Sequence, residues 1–110
     1  MDQKTKKIGT VRIAPGVLVT IVSSAALGVR GVLRMGTAGS FSRRIFGRDD
    51  NGVKIEVKDG KVFADLYVIV DKTASISEIG KQVQSDVSNA IRHIVGMPVE
   101  QVNVHIQNVE

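Results

Sequence analysis

The sequence predicts an α+β domain of two layers, in which a mixed β-sheet carries both helices on one face, with the element order β-α-β-β-β-α-β. Residues 62–109 read as strand, helix and strand, which is long enough for a right-handed crossover between two parallel strands. The Asp59-Gly60 pair is typical of a tight antiparallel hairpin, so the sheet must be mixed. Because the strands alternate apolar and polar residues, only one sheet face needs a cover of helices.

The first third of the chain predicts a strand, a helix and a second strand. Apolar and polar residues alternate over 10–13, which indicates a short strand. Pro15 suits the first turn of a helix, where its missing N–H is not needed. Gly28 and Gly31 end this helix, and residues 31–35 form the next strand. The expected buried arc of the helix consists of Val17, Leu18, Ile21, Val22, Ala25 and Val29.

The surface of this first helix is the first candidate site. There is no charged side chain between Arg12 and Arg30, so the arc opposite the expected buried one offers only small and apolar groups. Contiguous exposed apolar surface usually marks a contact site. An alternative is that the segment 41–46 folds over this arc. The candidate interface residues are Val19, Ser23, Ala26 and Leu27.

Residues 36–52 read as a long basic loop, because glycine, serine and charged residues dominate and no periodicity holds. Loops of this length are uncommon in compact domains and are often functional. The loop starts with two glycines in the G-x-x-G spacing that KH domains use to clamp a nucleic-acid backbone. That spacing also arises by chance, and a KH loop joins two helices, whereas this one joins two strands. The candidate anion or nucleic-acid contacts are Gly36, Gly39, Arg43, Arg44 and Arg48.

The remaining elements follow from regular patterns. Residues 53–58 and 61–70 alternate on either side of the hairpin turn, and the even-numbered residues of the second strand are expected to face the helices. A second helix is predicted over Ile76–Val95, with Ser75 as N-cap and Gly96 after its last turn. Residues 102–107 form the last strand. The apolar stripe of the second helix consists of Ile76, Ile79, Val83, Val87, Ala90, Ile91 and Ile94.

The polar residues do not predict an enzyme, and no cofactor or metal is expected. The chain has no cysteine, which excludes disulfides, thiol nucleophiles and thiolate metal sites. His93 and His105 lack a second ligand at the spacing of a zinc site and are interpreted as structural. Asp65 lies on the outward side of a central strand, but a lone carboxylate is not an acid–base pair.

The charge is divided unevenly between the two parts of the chain. Residues 1–48 hold nine Lys or Arg and one acid, a net charge of +8, whereas residues 49–110 hold six bases and ten acids, a net charge of −4. A basic segment can serve phosphate-bearing partners, or the asymmetry can be solvated surface alone. Residues 1–8 are expected to be flexible and are not a secretory signal, and residues 17–29 are too short to span a bilayer. By length the chain is one domain, 1–110, and a cytoplasmic protein is expected.

Several segments resemble the alkaline shock protein family, the Gls-type envelope stress proteins of Gram-positive bacteria. They include the end of the first helix, Gly28-Val29-Arg30-Gly31-Val32, and the strand Ala64-Asp65-Leu66-Tyr67-Val68-Ile69-Val70. The helix segment Val83-Gln84-Ser85-Asp86-Val87 and the closing pattern V-x-x-V-N-V-x-I over residues 99–106 complete the resemblance.

The resemblance implies a cytoplasmic, non-enzymatic protein of cell-envelope homeostasis or stress response that acts through protein–protein contacts. Some members of the family are held at the membrane by a separate membrane-anchored partner, and a homo-oligomer is compatible with this role. The residues alone leave an alternative open, a KH-like binder of phosphate or nucleic acid that uses the loop described above.

Overall fold

The computed structural model describes residues 8–37 and 51–110. Within them, two helices lie on one face of a four-stranded mixed sheet, and the predicted fold class is confirmed. The elements are α1 Pro15–Leu27, β1 Val32–Met35, β2 Val53–Lys58, β3 Lys61–Val70, α2 Ile76–Ala90, a π-helical turn Ile91–Val95, and β4 Val99–Val109.

Strand β3 is the centre of the sheet. Strand β4 runs parallel to it along its whole length, as a crossover through α2 requires. The opposite edge of β3 is shared, because β2 pairs antiparallel with its first part and β1 with its last three residues. The hairpin turn has positive φ at both Asp59 (52°) and Gly60 (74°), the type I′ geometry that suits the twist of the two strands.

Two glycines close the sheet where β1 and β2 meet. The Gly36 amide donates to the Tyr67 carbonyl at 2.7 Å, and the Tyr67 amide donates to the Gly52 carbonyl at 2.8 Å. A Cβ atom on Gly52 would lie 2.7 Å from the Gly36 carbonyl oxygen, and Gly52 has a φ of 76°. Gly36 and Gly52 therefore lie side by side next to Tyr67, near the middle of β3.

The core lies between the helices and one face of β3. The even-numbered residues of β3 from Val62 to Val70 are fully buried, which confirms the face predicted for them. They pack against a stripe from each helix. The stripes consist of Leu18, Val22 and Ala26 of α1 and of Ile79, Val83 and Val87 of α2, and Ile91 of the π-helical turn extends the second one.

Two elements differ in kind from the sequence prediction. The opening strand over residues 10–13 is not formed: residues 8–14 have no regular secondary structure, and Val11 is 93 % exposed. Four alternating residues between Gly9, which has a φ of 96°, and Pro15 have too few backbone bonds to hold a strand without a partner edge. The predicted second helix has the expected extent, but its last turn is π-helical, which moves Ile94 out of the buried stripe to 65 % exposure.

Candidate functional site

Helix α1 presents an uncharged outer face to its surroundings. The helix has no acid in its first turn and no base in its last, and its sequence contains no charged residue at all. Val17 and Leu27, which lie away from the sheet, are 48 % and 46 % exposed. Six positions of this helix are exposed, and Pro15, the first of them, lines the groove described below. We call the other five the α1 outer face: Gly16, Val17, Thr20, Ser24 and Leu27.

Two hydroxyl groups of α1, those of Thr20 and Ser23, are directed at the backbone of the same helix. Thr20 Oγ1 donates to the Gly16 carbonyl at 3.0 Å, and Ser23 Oγ donates to the Val19 carbonyl at 2.7 Å. Such bonds to the preceding turn satisfy the hydroxyl hydrogens within the helix. The α1 outer face therefore offers mainly carbon and small side chains, and the hydroxyl of Thr20 on this face is already bonded within the helix.

The exposed side of α1 is not the side that the sequence predicted. Ala26 is fully buried in the core, so its assignment to the surface is corrected. Val19 and Ser23 are half-buried, and only Leu27 of the four predicted residues is exposed. The apolar residues of α1 surround it on nearly all sides, so periodicity alone could not indicate which side faces the sheet. That this helix forms an interface remains a prediction.

Of the predicted anion contacts, only Gly36 belongs to the described residues; Gly39, Arg43, Arg44 and Arg48 lie outside them. The Gly36 amide is bonded to the Tyr67 carbonyl, as noted above. The next amide, that of Thr37, donates to Gln107 Oε1 at 2.8 Å. A Cβ atom on Gly36 would collide with the Gln107 side chain, so this glycine makes room for an internal contact. These two amides are therefore not turned toward an external phosphate.

The sheet face opposite the helices, here called the open face, carries a polar cluster. Asp65 Oδ1 accepts a hydrogen bond from Asn103 Nδ2 at 3.1 Å, and His105 Nε2 lies 3.1 Å from the same oxygen. The His105 ring stacks on Tyr67 with centroids 4.4 Å apart and planes 13° apart. In the sequence, Asp65 and His105 have no recognisable connection. The parallel register of β3 and β4 brings them together although they are forty positions apart in the chain, and no sequence spacing signals that register.

Two side-chain bridges cross β3 on the open face. Arg34 of β1 donates two hydrogen bonds, of 2.7 and 2.6 Å, to the Glu110 carboxylate after β4. These bonds hold the pKa of Glu110 below its ordinary value. Gln107 Nε2 donates to the Thr37 carbonyl at 2.6 Å from the same side. Ile69, on β3 between the bridged strands, is only 6 % exposed although neither α1 nor α2 lies on this face.

On the open face, the polar side chains of neighbouring strands are bonded to one another. Within residues 8–37 and 51–110, no group of three or more His, Asp or Glu side chains could hold a metal ion. The described neighbours of the Asp65–His105 pair include an amide and a phenol, and no serine or threonine is bonded to that histidine. A histidine held between a carboxylate and a stacked ring mainly fixes the positions of two neighbouring strands.

An apolar groove of about 460 Å³ lies beside the start of α1. One wall is the extended segment of residues 8–14, here called the arm, through Val11 and Ile13. The other wall is β2, through Ile55 and Val57.

The helices built from the described residues include none with the length and apolar character needed to cross a membrane.

Comparison with known proteins gives a family for this chain. The model of the alkaline shock protein 23 family, described by its cell envelope-related function, matches residues 3–110. The uncharacterized protein YqhY of Bacillus subtilis is 29 % identical over 115 residues, which cover 100 % of this chain and 84 % of YqhY. The uncharacterized protein Spy1535 of Streptococcus pyogenes is 29 % identical over 109 residues, covering 96 % and 82 % of the two chains.

The fold is also similar to solved structures. The copper form of the MamM CTD superposes with a TM-score of 0.62 at 19 % identity, covering 87 % of each chain. A zinc form of a MamM CTD variant gives a TM-score of 0.61 at 18 % identity and covers 86 % of each. At these identities the likeness concerns the fold alone.

Proposed function

This chain belongs to the alkaline shock protein 23 family, whose function is cell envelope-related, and from that membership we propose that it is a non-enzymatic binding or scaffold module. In this proposal the protein works in the cytoplasm and serves the cell envelope through contacts with other proteins. The family resemblance found in the sequence is confirmed by the match over residues 3–110.

The observation that carries the proposal is the α1 outer face. A helix with no charged residue and with Val17 and Leu27 about half exposed is unusual on a surface, where the solvent side of a helix is normally charged. The cores of protein interfaces are likewise poor in charge and rich in apolar atoms. Small residues at positions 16, 20 and 24 let a partner helix approach this face closely.

The polar chemistry of the described residues supports a binding role over catalysis. Asp65, His105 and Asn103 satisfy one another on the open face, and Arg34 is bonded to Glu110. Side chains that are hydrogen-bonded to one another in this way fix the relative positions of the strands that carry them.

The test is affinity capture from the membrane-containing envelope fraction of the source cells, combined with a measurement of mass by light scattering. The test variant replaces Val17 and Leu27 together by Glu. We expect it to keep the circular dichroism melt of the parent chain, because both side chains are about half exposed, and to lose either the captured protein or the higher mass. Loss of the captured protein assigns the face to a partner, which can be membrane-anchored, and loss of mass assigns it to a second copy.

A matched control replaces Ile76 and Ile94, which are 45 % and 65 % exposed at the two ends of the second helix, by Glu. This variant adds the same charge and removes exposed apolar surface elsewhere, so it should retain both capture and mass. A Val17/Leu27 variant that is folded and unchanged in both readouts would contradict the proposal. A variant that unfolds would show that the α1 outer face belongs to the core.

A further inference from the structure

The groove between the arm and β2 is a second surface, separate from the α1 outer face. Besides the side chains named above, it is lined by Pro15, Leu18, Val95 and Met97. On the arm, Val11 is 93 % and Ile13 is 42 % exposed, and Val57 of β2 is 49 % exposed. Apolar side chains of the arm and of β2 thus line the two sides of the groove and remain exposed to solvent.

The wall formed by β2 also offers backbone groups. In the two-residue hairpin, Lys58 and Lys61 are the pair next to the turn, and Gly52 still bonds to Tyr67 at the far end. Residues in an antiparallel strand point their backbone groups alternately toward and away from the partner, so Ile55 and Val57 point theirs away from β3. Within the described residues, no backbone hydrogen bond from another element reaches these two residues. This stretch of β2 is an edge that can accept a further strand.

The charges around the groove indicate which strand fits. Lys54 and Lys58 of β2 are on the open face, on either side of Glu56, and Arg12 of the arm lies between the two apolar arm residues. The arm of a second copy would bring Arg12 to these cations, which is unfavourable. An added segment with acids opposite Lys54 and Lys58 would be favoured.

We propose that the arm–β2 groove binds an extended acidic segment of another protein by strand addition to the outer edge of β2. The bound segment has apolar residues at alternate positions, which enter the groove beside Ile55 and Val57. Its intervening acids lie on the open face near Lys54 and Lys58. In this mode the main chain supplies affinity and the alternate side chains supply specificity.

The test uses the full chain and the peptide Thr-Glu-Val-Thr-Val-Glu-Thr-amide, which carries a fluorophore on its N-terminal amine and is followed by fluorescence anisotropy as the protein is added. The peptide reads the same in both directions, so parallel and antiparallel addition are tested together. A peptide with Lys in place of both Glu tests charge, and a peptide N-methylated at each internal amide tests strand pairing. We expect both controls to bind at least about tenfold more weakly, since each removes charge attraction or several hydrogen bonds.

Variants of the protein locate the binding. Val11→Ser combined with Val57→Ser removes apolar surface from both walls at exposed positions, and should weaken binding of the Glu peptide by about tenfold. Leu33→Ser, at a position on β1 that is 46 % exposed, removes similar surface away from the groove and should leave binding unchanged.

Equal binding of the Glu and Lys peptides would overturn the acidic occupant, and equal binding of the N-methylated peptide would overturn strand addition. Absence of binding at millimolar peptide would overturn the proposal as a whole. A mass that falls on Val11→Ser with Val57→Ser, with no peptide binding, would assign the groove to a second copy. None of these outcomes bears on the α1 outer face, so this inference can fail while the proposed function stands.

Discussion

At the scale of single residues, the open face is held by side chains that reach across β3. The Arg34–Glu110 pair is exposed to solvent, so the ion pair itself adds little to the free energy of unfolding. Its main effect is to connect β1 with the end of β4, the strands on either side of β3. A second exposed carboxylate, Asp71, accepts from the Thr73 amide at 2.8 Å and from its hydroxyl at 2.7 Å just before α2. Both carboxylates contribute to stability only while they are ionised.

These two carboxylates predict a loss of stability in acid. Hydrogen bonds from Thr73 lower the pKa of Asp71, and those from Arg34 lower the pKa of Glu110. A lowered pKa in the folded state means that the contribution is present above the ordinary pKa and is lost as pH falls through the folded value. The free energy of unfolding from urea titrations should therefore decline below the ordinary values of 3.8 for Asp71 and 4.5 for Glu110.

The matched variant for this measurement is Glu110→Gln, which keeps the shape of the side chain and removes its charge. It should be less stable than the parent chain near neutral pH and should differ less from it in acid. A stability difference that stays constant from neutral to acid pH would argue against the Arg34–Glu110 contribution.

The glycine at the start of β2 gives a second prediction. Gly52→Ala should destabilise the protein by roughly 1–3 kcal/mol, because alanine is strained at positive φ and its Cβ would meet backbone atoms. Gly80→Ala is the control, since nothing lies within 4 Å of the added carbon in mid-helix. It should stabilise the protein by about 0.5–1 kcal/mol. Urea midpoints measure both changes. A midpoint of Gly52→Ala equal to that of the parent chain would show that the β1–β2 junction relaxes around a side chain.

Single residues were predictable where their role is local. Ser75 accepts from the Glu78 amide at 3.4 Å, and Gly96 has the predicted left-handed conformation, with a φ of 83°. The Asp65–His105 pair was not predictable, because it depends on the register of two strands that are distant in the sequence. For the same reason the fit of Gln107 against Gly36 has no signal in the sequence.

At the scale of elements, α2 was the most predictable because its polar and apolar sides are distinct. Helix α1 was predictable as a helix but not in its orientation, since apolar residues surround it and Ala26 is buried while Val17 is exposed. The arm was misread because alternation over a few residues indicates which side chains share a side, but not whether a partner edge is present. That edge exists on β2, and the arm does not pair with it.

The packing of α2 predicts the effect of a charge at its centre. Val87 is fully buried against the sheet, so Val87→Asp would place a carboxylate where no partner is available. The penalty of burying a charge is of the order of the whole stability of a domain, about 5–15 kcal/mol. We expect insoluble or unfolded protein by circular dichroism, whereas Ser85→Asp on the exposed side should fold normally. A cooperative melt of Val87→Asp near that of the parent chain would contradict the position of this helix.

At the scale of the whole molecule, the charge asymmetry is partly explained by folding. Arg34 from the basic part of the chain is bonded to Glu110 from the acidic part, so some of the opposite charges meet within one domain. The three clustered arginines of residues 43–48 lie outside the described residues.

We expect the protein not to retain a labelled single-stranded oligothymidylate at about 150 mM salt, where phosphate contacts are already weakened by counterions. The physical reason is that the Gly36 and Thr37 amides are bonded to Tyr67 and Gln107, so a clamp of the KH type lacks its first donors. Fluorescence anisotropy across a salt series is the measurement. Binding whose logarithm falls with the logarithm of salt by about 0.7 for each phosphate contact, and which Arg43→Ala with Arg44→Ala removes, would contradict this expectation. It would then assign the basic loop a role that requires no glycine clamp, because arginine side chains alone can neutralise phosphates.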